Sequence, residues 1–228
     1  MSDHHDPSPV NSIPPVIIVI ALVLVGVEGL FQLAEIGILG QGAGIGWRLT
    51  AVEEYGFYGQ IVDLMIGRGD FQADFLMRFV TYIFVQRAFL DMIFVGVFLL
   101  AMGKFVAEVF DPWAVVAVFV VSGAGGALAY GLILNDPRPL IGGFPAIYGL
   151  IGAYTFILWR ISAAVGVSQI GAFRLIAILL GIQLVFTALF GGSNDWVADL
   201  GGFATGFGLS FLVSPGGWQR LTNRTRNR

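Results

Sequence analysis

Cysteine is absent from all 228 residues. Its absence removes disulfides, thiolate nucleophiles and cysteine metal sites together, and it leaves the compartment open. Histidine occurs only as His4 and His5, ahead of the first long apolar run. Any base or metal ligand deeper in the chain must therefore be something other than imidazole. Charge is scarce too: Asp, Glu, Lys and Arg make up 12% of the residues. A soluble domain carries about 25%, so this chain cannot cover itself with a charged surface. The few basic residues are not interleaved with aromatics, which argues against nucleic acid as a partner. No residue pattern calls for a metal or a cofactor.

Apolar residues are what the chain does have: 57% of the sequence, with a mean hydropathy of +0.83. Apolar stretches fall near 14–38, 79–103, 113–134, 144–162, 171–190 and 196–213. Crossing a ~30 Å hydrocarbon core takes about 20 helical residues. Backbone amides in lipid must be satisfied within the segment, so these stretches are expected to be helices. The fold class is therefore an all-α membrane protein, a bundle of six transmembrane helices in contact with a lipid bilayer. It divides into a polar N-terminal tail (1–13), a membrane domain (14–213) and a basic C-terminal tail (214–228). Pro14 and Pro15 suit the first turn of the first helix, and Asp111-Pro112 opens the third. Pro215-Gly216-Gly217 ends the sixth.

Residues 1–12 contain Asp3 and Asp6 but no Lys or Arg, unlike a secretory signal. If both termini lie inside, the inner segments hold Lys104, Arg160, Arg174, Arg220, Arg224, Arg226 and Arg228. The outer segments hold Arg48, Arg68, Arg78 and Arg138. The bias predicts cytoplasmic termini. The compact core without an added domain suggests a bacterial inner membrane. Residues 40–78 mix Trp47, Tyr55, Phe57, Tyr58, Phe71 and Phe75 with acids. They read as a long interfacial first loop with short helices, its aromatics at headgroup depth.

Two glycine-rich segments stand out. One is Gly142-Gly143-Phe144-Pro145-Ala146-Ile147-Tyr148-Gly149-Leu150; the other is Ala198-Asp199-Leu200-Gly201-Gly202. Together they resemble the signature segments of the rhomboid family of intramembrane serine proteases. The resemblance spans roughly 14–213 and implies a six-helix rhomboid-like fold. Family members carry the nucleophilic serine where Phe144 stands and the histidine base where Asp199 stands. Their oxyanion-stabilising side chains fall at Gln86, Asp91 and Val95, and a Trp-Arg pair in their first loop matches Trp47-Arg48. Val95 cannot donate a hydrogen bond, and an ionised Asp91 would repel a developing oxyanion. The resemblance thus implies a catalytically inactive relative that binds transmembrane clients without cleaving them. The alternatives are an active intramembrane serine endopeptidase and a structural subunit of a membrane complex. Asp91 and Asp199 as an aspartyl dyad is a further reading, but the motifs of such enzymes are missing.

The packing glycines of the family pattern remain. Gly149 and Gly152 share a face of the fourth span; Gly202 and Gly206 form a small-xxx-small face on the sixth, widened by Gly201. Ionisable residues at membrane depth are costly and tend to face a partner or water. Arg87 and Asp91, four apart, are expected to pair on one helix face, and with Asp199 to frame a polar pocket. Asp195 or Asp199 would cap the sixth helix. Glu28 and Glu35 share a face of the first span, and the deeper Glu28 awaits an arginine or another subunit.

Overall fold

A computed structural model describes residues 13–40, 44, 46–134, 136–190 and 193–214. His4, His5, the Pro215–Gly217 stop and the tail arginines lie outside the described residues. Helices α1 (Pro15–Glu35), α2 (Trp47–Tyr55), α3 (Gln60–Arg68), α4 (Ala73–Thr81), α5 (Phe89–Ala107), α6 (Pro112–Ile133), α7 (Phe144–Ala164), α8 (Arg174–Phe190) and α9 (Trp196–Val213) account for most of them. Six are long and apolar enough to cross a membrane: α1, α5, α6, α7, α8 with the 3-10 turn before it, and α9. The chain is an all-α integral membrane protein.

Apolar side chains such as Leu22, Val97, Leu132 and Val185 are exposed around the outside, as lipid contact requires. The core lies between α6, α7 and α9, which pack most extensively on one another. α7 is the central strut, with 67% of its best spanning window buried. Glycines let α9 reach it. A methyl group at Gly206 would overlap the Gly149 carbonyl, and one at Gly202 would overlap the Pro145 carbonyl. Further along, Phe156 and Trp159 of α7 meet Phe207 and Phe211 of α9 through edge-to-face rings.

The second span departs from expectation. Apolar character is nearly continuous from 79 to 103, yet the spanning helix begins at Phe89 and runs to Ala107. Residues 79–84 belong to α4 and a 3-10 turn, and Val85 and Ala88 are extended. The break has a hydrogen-bonding cause. The Gln86 carbonyl accepts Arg48 Nη1 at 2.8 Å, and its side chain reaches two other backbone groups. The Arg48 bond satisfies the backbone carbonyl of Gln86, and the side-chain bonds pin the open stretch to Ile83 and Gly143. Asp111 and Asp195 sit at the N-cap positions of α6 and α9, but neither side chain makes the capping hydrogen bond.

Candidate functional site

The start of α7 is held from several sides. Gly142 has φ +106, a left-handed conformation that favours glycine. Its N–H donates to the Tyr82 carbonyl at 3.0 Å. The Gly143 N–H donates to Gln86 Oε1 at 3.3 Å, and Gln86 Nε2 donates to the Ile83 carbonyl at 2.8 Å. Just upstream, Phe57 and Leu140 exchange backbone hydrogen bonds as an isolated antiparallel bridge. Tyr82 Oη donates to the Gly123 carbonyl of α6 at 2.7 Å. Phe144, the first residue of α7, is thereby placed on a rigid shoulder.

A cavity of about 790 Å³ opens in front of that shoulder, between the start of α5 and the end of α8. Phe144 and Tyr148 of α7 form its back, Asp91 and Phe94 come from α5, and Gln183 and Thr187 from α8. Arg87, Asp195 and Asp199 complete its polar rim. A second chamber of about 100 Å³ follows deeper in the bundle, between Phe98, Ile147, Ile151 and Leu179. Phe144, Tyr148 and Leu179 line both.

The charged groups are not paired as the spacing suggests. Arg87 lies before α5 rather than on it, and its guanidinium bonds to Asp195 across the cavity mouth. Helical spacing does not apply to a residue outside the helix, so Arg87 and Asp91 form no pair. Asp195 also accepts Ser193 Oγ at 2.6 Å, which is why it is not free to cap α9. Asp199, in the first turn of α9, is 2% exposed. Its Oδ2 accepts Gln183 Nε2 at 2.7 Å, and its Oδ1 has no donor among the described residues. Tyr148 Oη shares the same amide, 3.3 Å from Gln183 Oε1. Among the described residues no group of His, Asp and Glu is arranged to hold a metal ion.

The family model described as Rhomboid domain matches residues 73–216, more than half of the chain. The chain belongs to the rhomboid family. No curated protein matches it.

The two glycine-rich segments meet in space at the α7–α9 crossing, and the site residues singled out in the sequence lie near it. Phe144 and Asp199 line the cavity, with Asp91 opposite. Gln86 is fully buried and committed to backbone, and Val95 packs in the apolar core. Neither lines the cavity. Gly149, Gly152, Gly202 and Gly206 lie at the α7–α9 contact, while Gly201 faces α6, against Ala129 and Gly125.

Arg48 does more than anchor the loop. It grips Glu28 of α1 with both terminal nitrogens, at 2.8 and 2.9 Å, and Glu35 through Nε at 2.8 Å. The hydrogen bond to Glu28 raises the guanidinium pKa further above its ordinary value. Phe31 stacks beneath it at 5.1 Å. Glu28, 1% exposed, is thus paired within the chain and faces no other subunit. Trp47 lies beside it, partly exposed, over Gly40. Because Arg48 also holds the Gln86 carbonyl, and Gln86 holds Gly143, a relay of hydrogen bonds runs from α1 to the start of α7.

Sequence reasoning overlooked Gln183, Thr187 and Tyr148. A signal existed for two of them. After Arg174 at its start, Gln183 and Thr187 are the polar residues of α8, and they stand four apart, on one helix face.

Proposed function

We propose that this rhomboid-family protein binds membrane-spanning segments of other proteins without cutting them. The observation that carries the reading is Phe144 at the start of α7 facing the cavity, with Asp199 on α9. Peptide-bond attack needs an activated hydroxyl within reach of a base. Among the described residues, Ser193 is the serine on the cavity wall, and the carboxylate it donates to is Asp195, which is already tied to Arg87. Lys104 lies thirteen residues along α5 from Asp91, about 20 Å by helical rise, so it cannot serve the same place. Ser122 and Ser210 are fully buried, and Ser210 donates to the Gly206 carbonyl.

Binding is supported by shape. The cavity lies between α5 and α8 and continues into an apolar chamber, and α8 packs only lightly on its neighbours. A client helix would enter from the bilayer between those two spans. The Lys and Arg distribution places both termini in the cytoplasm in this reading, with the cavity facing outward.

The test is incubation of the reconstituted protein with a generic rhomboid substrate and, separately, with a fluorophosphonate probe. Neither cleavage nor serine labelling is expected. A matched variant carries Phe144→Ser, Asp199→His, Gln86→His, Asp91→His and Val95→Asn; cleavage by that variant alone would establish that only the chemistry has been lost. Cleavage by the native chain would overturn the reading. Phe144→Ala should change client affinity, read from binding of a fluorescent transmembrane peptide; unchanged affinity would count against the cleft.

A further inference from the structure

Four charged residues line the cavity, and they do not balance. Arg87 is committed to Asp195. Asp91 and Asp199 are left without a cation among the described residues. The two lie on different elements, the first turns of α5 and α9, and face the same space. The cavity therefore holds an excess of two carboxylates.

Asp199 makes that excess specific. It is almost fully buried, yet its Oδ1 has no hydrogen-bond partner among the described residues. Gln183 supplies one neutral donor to the other oxygen and is itself positioned by Tyr148. A carboxylate at membrane depth accepts several donors and is costly when short of them. An occupant that brought a charged donor to Oδ1 would complete the set. Below the polar rim the walls are apolar. From Phe94 to Phe98 on α5 and from Phe144 to Ile151 on α7 the lining extends about 5–10 Å along the helices. The matching occupant has a cationic head at the level of Asp91 and Asp199 and an apolar body alongside.

We propose, resting on the client-binding reading, that the cavity recognises a lysine or arginine side chain carried by a membrane-spanning segment that enters between α5 and α8. The long apolar stem of such a side chain would lie against Phe144 and Phe94, with its charged end reaching the carboxylates. Arg87, 45% exposed at the mouth and paired with Asp195, keeps the third acid from competing for the same cation. Recognition by charge also disfavours wholly apolar segments and bilayer lipid tails, which bring nothing to Asp199.

The experiment uses the full chain in lipid nanodiscs and a fluorescent leucine–alanine transmembrane peptide. The peptide carries one lysine near its outer end, or norleucine at the same place. The lysine peptide should bind about tenfold or more tightly. Asp199→Asn keeps the shape and the contact with Gln183; combined with Asp91→Asn it should erase the preference while norleucine-peptide binding persists. Persistence of that binding also shows that the variant is folded. Equal binding of the two peptides to the native chain would overturn charge recognition and leave client binding standing. No binding of either would overturn both. A preference that survives both Asn substitutions would overturn the assignment to these carboxylates. Dodecylammonium serves as a competitor; if it binds as tightly as the lysine peptide, a free amphiphilic amine is the occupant and the transmembrane segment is not.

Discussion

α7 and α8 are both apolar, uninterrupted helices of spanning length, yet they sit in the molecule in opposite ways. In the best spanning window of α7, 67% of the residues are buried; in that of α8 with its preceding turn, 12% are. α7 carries Gly149 and Gly152, whose missing side chains are filled by α6 and α9 backbone and side-chain atoms. α8 carries Gly181, around which there is open space. Membrane helices gain nothing from burying apolar surface as such, because lipid is equally apolar. Close packing is what holds them together. Where small residues permit it the helix becomes a strut; where they are not used the helix is held loosely. The cavity lies along the boundary between the two kinds of helix, which gives it one rigid wall and one yielding wall.

This contrast can be broken by substitution. Gly206→Leu, aimed at the α7–α9 contact, should produce the largest effect, about 3 kcal/mol or more of destabilisation. Thermal scans of the detergent-solubilised protein would show it, and a native-like transition would mean that the crossing is not close. Arg48→Ala comes next. It strands Glu28 inside the bundle and should cost about 2–4 kcal/mol; adding Glu28→Gln should recover part of the loss, and no recovery would remove the ion pair as the cause. Arg87→Ala affects an exposed pair and should change stability by less than about 1 kcal/mol. A larger loss in the same scans would make that pair a structural clamp. Gly181→Leu on α8 should be the mildest, within about 0.5 kcal/mol, and a drop comparable to that of Gly206→Leu would erase the distinction between strut and loose helix.

The six spans were legible because hydropathy and length are properties of a segment, and lipid leaves the backbone little choice but a helix. The Gly149–Gly152 and Gly202–Gly206 faces were legible for a related reason: their spacing follows helical periodicity. Legibility failed where a residue's partners lie far along the chain. Apolar content marked 79–88 as part of a helix, but Arg48 and Gly143 claim the hydrogen-bonding groups of Gln86 and leave that stretch open. The expected Arg87–Asp91 pair failed with it. Gln183 carried a readable signal, a polar residue in an apolar span, but nothing in α8 alone pointed it at Asp199.

By itself, then, the sequence determined a membrane-embedded helical bundle with its family signature, and the resemblance of its two glycine-rich segments drew notice to Phe144 and Asp199. Those are matters of composition, periodicity and identity, all local along the chain. The tertiary structure decided which charges meet: Arg48 with Glu28 and Glu35, Arg87 with Asp195, and Asp199 with a single amide and one oxygen left over. Pairing at membrane depth depends on which side chains of distant segments arrive within about 3 Å of one another, and only the packing of the helices settles that.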